Sequence, residues 1–201
     1  MERHLLVVSD EIHADMPLFG HQHTPFASVS NKAAAISITF QAPTKTFNIA
    51  GIVSAYAIVP NEKIRKVFYD WLAANELDEP HLFAPIATIA AFREGEAWRK
   101  QMIHYVERNI LFVEAFCQQH MPAIKPLRPQ ASFLIWLDCR ALHLSHEELL
   151  HLFIDEAHLA LNDGEMFGPG GEGYMRLNVG CPRQLVEQAL RQLCDAVQHH
   201  V

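Results

Sequence analysis

Two short apolar runs, residues 5–8 and 33–40, each give way to a polar cluster. The first is followed by Ser9-Asp10-Glu11-Ile12-His13. The second is followed by the Pro-interrupted loop Ala42-Pro43-Thr44-Lys45-Thr46-Phe47-Asn48-Ile49-Ala50-Gly51. Short continuous apolar runs are expected of strands buried on both faces. Two of them ending in polar clusters suit a parallel α/β sheet with its site at the strand C-termini. A lysine placed there can do covalent chemistry once partly desolvated, because the neutral amine is the nucleophile. This one pairing of strand ends with reactive side chains constrains the fold more than any other feature.

The chain has 201 residues, half of them hydrophobic and 19% charged, which suits one large domain or two small ones with a real core. A formal net charge of −7 argues against a nucleic-acid binder. No apolar run approaches the roughly 20 residues that span a bilayer. The apolar stretch after Met1-Glu2-Arg3-His4 is too short for a signal peptide and lacks a small-residue cleavage site. Cys117, Cys139, Cys181 and Cys194 show no CxxC spacing and are expected to be reduced thiols in a cytosolic protein, with Cys139 and Cys181 buried.

Further along, residues 51–59 suggest a third strand stopped by Pro60. Residues 62–74 have helical spacing, with Ile64, Val67, Phe68, Trp71 and Leu72 on one face. Residues 86–119 are strongly helical with a break near Gly95. Pro122, Pro126 and Pro129 mark a boundary or extended linker. Residues 132–137 alternate like a strand. Ser145 with Glu148 is a capping-box pattern opening a helix to about Glu156. A short strand is expected at 158–161, a Gly-rich loop at 164–173, a strand at 174–179, and a last helix at 184–199 after Pro182.

The run Pro43-Thr44-Lys45-Thr46-Phe47-Asn48-Ile49-Ala50-Gly51 is similar to the Schiff-base motif of fold-type I enzymes that use pyridoxal 5'-phosphate (PLP). Ser9-Asp10-Glu11-Ile12-His13 and Tyr174-Met175-Arg176-Leu177-Asn178-Val179-Gly180-Cys181-Pro182 resemble two further motifs of the same family. The specific resemblance is to the MalY/PatB-like cystathionine β-lyase branch of the class I/II aminotransferases. It implies an α/β fold: the C-terminal part of the PLP-binding large domain of an aspartate aminotransferase-like transferase, residues 1–95, then a small α+β C-terminal domain with an interdomain helix, residues 96–201.

The resemblance also implies roles. Lys45 holds PLP through a Schiff base and acts as general base at the substrate Cα. Asp10 pairs with the pyridine nitrogen, where a buried carboxylate keeps the ring protonated. His13 stands where related enzymes often carry a tyrosine on the cofactor's phenolic oxygen, with packing as the competing role. Thr44 is the hydroxyl nearest the phosphate. Arg176 clamps the α-carboxylate with its bidentate fork, against the plainer reading of a structural ion pair. The reaction implied is carbon–sulfur β-elimination from a cysteine S-conjugate, giving thiol, pyruvate and ammonia. An aminotransferase using the same residues is the alternative, and a non-catalytic fragment or regulatory binding protein is the alternative of another class.

Two departures stand out. Ala42 occupies the place where many relatives carry a hydroxyl, and Val53 the place of a phosphate-binding arginine. The resemblance also covers only the C-terminal half of such enzymes, so a truncated fragment is expected, with a homodimer expected for a complete protein. Among the thirteen histidines, His21-Gln22-His23 and His13-Ala14-Asp15 are the best metal candidates, but no third and fourth ligands stand at a recognisable spacing. The glycines at 168, 170, 171 and 173 are not followed by Gly-Lys-Ser/Thr and do not make a P-loop; a mobile turn before the Arg176 strand is expected.

Overall fold

A computed structural model of the chain describes residues 5–199. It divides into two compact units, Met1–Ile103 and His104–Val201. The start of the N-terminal segment read above, through His4, lies outside the described residues, as does His200.

The first unit is built on a three-stranded sheet in the order β1-β2-β3, with β1 Val7–Asp10, β2 Ser37–Gln41 and β3 Tyr56–Ile58. β1 and β2 run parallel, Val7 opposite Ser37 and Asp10 opposite Phe40. β3 is antiparallel to β2, with Gln41 opposite Tyr56. The apolar run at 33–40 is not one strand. Its Ala-rich front half forms helix α1, Asn31–Ala35, which Ser30 starts by accepting the Ala33 N–H at 3.1 Å. Only the half with Ile38, Thr39 and Phe40, whose side chains favour the pleat, enters the sheet.

The expectation that residues 5–8 are buried on both faces also fails. β1 is an edge strand among the described residues, and Leu5, Leu6 and Val8 are exposed. After β2 comes the four-residue helix α2, Pro43–Thr46, then a 3₁₀ turn, Ala50–Ile52, and β3. Helix α3, Glu62–Ala74, is where its spacing put it. Asn61 caps it by accepting the N–H groups of Lys63 and Ile64. None of its residues is buried. The long helical stretch is two helices, α4 Ala84–Glu94 and α5 Glu96–His120, parted at Gly95. A Cβ at Gly95 would sit 2.5 Å from the Phe47 ring. The break therefore admits an aromatic side chain from the Lys45 loop.

The second unit carries a four-stranded antiparallel sheet in the order β4-β5-β7-β6: β4 Lys125–Leu127, β5 Leu134–Asp138, β6 Asn162–Asp163 and β7 Tyr174–Asn178. The proline-marked linker is thus partly a strand. β4 is an edge strand, where Pro126 can sit with no ladder donor to lose. The strand expected at 158–161 forms later, at Asn162–Asp163. Helix α6, His146–His151, has the anticipated capping box and runs on as a π turn, Leu152–Glu156. The last helix, α7, is Arg183–Gln198.

One face of this sheet, Ile135, Leu137, Met175 and Leu177, is buried, as are Ile110 and Val113 of α5 and Leu190 and Leu193 of α7. Asn109 of α5 is fully buried. Its Nδ2 donates to the carbonyls of Val179 and Cys181 at 2.9 and 3.0 Å, and its Oδ1 accepts from Arg183 Nε at 2.8 Å. This bridge fixes the turn after β7 to the start of α7. Cys117, Cys139 and Cys194 are buried free thiols, whereas Cys181 is only half-buried, because it lies in that turn. Burial pushes the Cys117 and Cys139 thiols up to about 12.

Candidate active site

The parallel pairing of β1 and β2 brings their C-terminal ends to one edge of the sheet. Asp10 ends β1. Lys45 follows β2 within helix α2, which starts at Pro43. Pro43, Thr44 and Thr46 are buried and Lys45 alone in that helix is exposed. The helix is anchored behind the lysine by Phe47, whose ring meets Phe92 edge-on at 5.8 Å and lies 5.9 Å from Trp98. The sequence thus places an amine outward on a short, well-seated turn. The desolvation foreseen for Lys45 is not met in this chain. Nor is the burial foreseen for Asp10, which is exposed on the edge strand and accepts the Ile12 N–H at 3.3 Å.

Glu11, one residue on, is the buried acid of this region. It accepts from Ser9 Oγ and the Phe26 N–H, each at 2.9 Å, and meets His23 Nε2 at 2.8 Å. Burial works against its charge, yet the hydrogen bonds from His23, Phe26 and Ser9 hold it below the ordinary glutamate range. His23, one of the two histidines of the sequence's metal candidate, is thereby spent on a carboxylate that closes the loop 11–26. His13 is half-buried in the turn of that loop, and its carbonyl accepts the Met16 N–H at 3.0 Å. Asp15 is tied through its carbonyl to Arg99 Nη1 at 2.8 Å.

Two buried hydroxyls, Thr39 Oγ1 within β2 and Thr46 Oγ1 next to the lysine, have no hydrogen-bond partner among the described residues. Thr44, the hydroxyl singled out in the sequence, is buried too. Buried hydroxyls on either side of an exposed amine in the chain, with a carboxylate at the neighbouring strand end, fit a group that carries both an aldehyde and an anion. The donor set is therefore compatible with PLP.

In the second unit Arg176 lies on the open face of the sheet, directly opposite Trp136. Its Nη2 donates to Asn162 Oδ1 at 2.9 Å, and its guanidinium carbon stands 4.4 Å above the Phe167 ring. Its Nε is buried and has no partner among the described residues. A guanidinium held on one edge and one face, with a dry unpaired N–H, is arranged to take an anion. The glycine loop before β7 is folded back on itself. A Cβ at Gly171 would lie 2.0 Å from the Gly164 carbonyl oxygen, and Gly168 and Gly170 have φ of 103° and 92°. Asn162, Phe167 and Thr46 escaped the sequence reading. The first two belong to short segments without periodicity, and only the register of β6 on β7 brings Asn162 beside the arginine.

The model of the family "Aminotransferase class I and II" matches residues 1–193. The chain is 44% identical to cystathionine beta-lyase PatB of Bacillus subtilis over 98% of its own length and 51% of that protein's. It superposes on cystalysin of Treponema denticola, a structure containing a pyridoxal 5'-phosphate cofactor. The TM-score is 0.93 at 32% identity, over 97% of this chain and 50% of that one. A PLP-bound C–S lyase from Staphylococcus hominis matches with TM-score 0.84 at 29% identity, over 96% and 46%. The chain spans about half the length of the curated relatives it matches. No helix among the described residues is long and apolar enough to cross a membrane. By its family model and its fold, the chain belongs to the class I and II aminotransferase family.

Proposed function

We propose that this chain supplies the lysine, the aspartate and the carboxylate clamp of a PLP-dependent carbon–sulfur β-lyase acting on a cysteine S-conjugate. The observation that carries the reading is the arrangement of β1 and β2: parallel strands that end, one register apart, in Asp10 and in the Lys45 helix. PLP, when bound, supplies the electron sink that makes a proton at Cα removable.

The chain's own residues do the rest. Lys45 Nζ, carried on a seated turn, would take the proton from Cα as a neutral amine once bound cofactor and substrate cover it. Asp10, at the end of β1, would pair with the ring nitrogen and favour its protonated form. Thr44 lies beside Lys45, where a hydroxyl can donate to phosphate. His13, in the turn after β1, would hydrogen-bond the phenolic oxygen. Arg176, steadied by Asn162 and Phe167, would hold the α-carboxylate of the substrate. The products are a thiol, pyruvate and ammonia. PatB, a cystathionine beta-lyase, and the Staphylococcus hominis C–S lyase support the lyase reading over transamination. A homodimer in the cytosol is the assembly and place that the family resemblance favours.

The test is PLP titration of the purified chain. A visible-edge absorbance band that borohydride fixes onto Lys45, absent in Lys45→Ala, is expected. Pyruvate should then appear from a cysteine S-conjugate with no keto-acid acceptor. A band with turnover only when an acceptor is added would move the assignment to an aminotransferase. No band would show that this chain alone does not carry the site.

A further inference from the structure

The open face of the second sheet carries a cavity of about 330 Å³. Trp136 and Tyr174 line it from the strands, Phe167 forms one wall and Leu127 another. Its rim is the backbone of Gly168 and Gly170. The rings meet edge-on: Trp136 and Phe167 at 5.3 Å and 89°, Trp136 and Tyr174 at 6.3 Å and 84°. Such packing fixes the rings while leaving faces free for another apolar group. At both rim glycines the space a Cβ would take is open, and their positive φ keeps side chains out. No charged side chain lines the cavity. The nearby Arg140 is engaged by Asp138 at 2.9 and 2.7 Å and leans on the Tyr174 ring.

The cavity adjoins Arg176 through a single side chain. Phe167 walls the cavity and also carries the Arg176 guanidinium at 4.4 Å, while Trp136 is the direct cross-strand neighbour of that arginine. We infer that this aromatic cavity receives the group carried on the substrate's sulfur. It selects cysteine S-conjugates with aromatic or bulky aliphatic substituents over small or charged ones. The inference rests on the proposed role of Arg176 as carboxylate clamp. A dry apolar hole of about 150 Å³ already holds a benzene ring, so the space suits a benzyl thioether. A distal charge placed there would lose its water without finding a free counter-ion.

The probes are S-benzyl-L-cysteine and S-methyl-L-cysteine. Ligand-detected saturation-transfer NMR on the full chain without PLP reads contact with the benzyl ring independently of turnover, and steady-state kinetics on the PLP-loaded protein reads selectivity. Strong ring saturation and a kcat/KM preference for the benzyl conjugate of tenfold or more are expected. Trp136→Ala should cut that preference by roughly tenfold, from lost ring contact, and Trp136→Phe should restore most of it. Phe167→Ala, at an exposed side chain, is the second variant and should act in the same direction. Equal kcat/KM for the two conjugates, or ring saturation unchanged in both variants, would overturn the inference. Failure of the Lys45 chromophore would instead overturn the lyase reading and leave the NMR result to decide the cavity.

Discussion

The two units use the same kind of amphipathic helix to opposite effect. In the second, α7 buries Val186, Leu190, Leu193, Cys194, Ala196 and Val197. In the first, α3 has equally clear helical spacing, yet none of its residues is fully buried, and Val67 and Trp71 are 71% and 57% exposed. Leu6, just before β1, and Val8 within it are exposed as well. A helical stripe is a capacity to bury area, and only the area removed from water stabilises. The second unit therefore buries its helical stripe, and the first presents an apolar surface at α3 and Leu6.

The sharpest way to break that contrast is to truncate one large side chain in each. Phe153→Ala removes a ring that is fully buried in the second unit and should cost about 3–5 kcal/mol. Trp71→Ala in α3 should cost under about 0.5 kcal/mol, as surface substitutions do. Urea denaturation of the two variants, with hydrogen exchange to assign the loss to a unit, checks both values. A Trp71→Ala cost approaching that of Phe153→Ala would mean that α3 is covered in solution.

A smaller effect should separate the units by pH. Glu11 is held below the ordinary glutamate value of 4.5 by His23, the Phe26 N–H and Ser9. At acid pH the unfolded chain thus binds the proton that the folded one resists. The contribution of Glu11 is full above 4.5 and is lost as pH falls through its lower folded value. Exchange of amides in the loop 11–26 should accelerate on acidification, after correction for intrinsic rates, before the second unit changes. Glu11→Gln, which keeps the shape and loses the charge, should cost about 1–2 kcal/mol at neutral pH and flatten that dependence. Loss of protection in both units at the same pH would show that the loop is not a separate element.

Much of this was legible in the sequence, for identifiable reasons. The capping box at Ser145 and Glu148 is a local device, and it formed as read. The periodicity of 62–74 located α3 because helical spacing does not depend on what covers it. Burial does depend on it, which is why Asp10, Lys45 and residues 5–8 turned out more exposed than apolar runs imply. The run 33–40 misled because three alanines and Ile-Thr-Phe are alike in hydrophobicity and opposite in backbone preference. Asn162 was out of reach because its importance lies in register across the sheet, not in any local pattern. The three motifs that carry the family resemblance point to candidate site residues, and short-range motifs give no distances between them.

The smallest effect probes the open unit at one bond. Val53 follows the 3₁₀ turn after the lysine loop with φ 50° and ψ 58°, a left-handed conformation that a β-branched residue rarely adopts. Its side chain is 78% exposed, so little packing offsets the strain. The left-handed region costs an ordinary residue about 1–2 kcal/mol. Glycine relieves that strain but adds about 0.5–1 kcal/mol of unfolded-state entropy to lose. Asparagine tolerates the conformation with less of that penalty. Val53→Asn should therefore stabilise the first unit by about 1 kcal/mol and Val53→Gly by somewhat less, read as a rise in urea midpoint at constant slope. The second unit's midpoint should not move. If both substitutions instead destabilise, the Val53 side chain is packed in solution, and the surface beside the lysine loop is closed by contacts that the chain's own residues do not make.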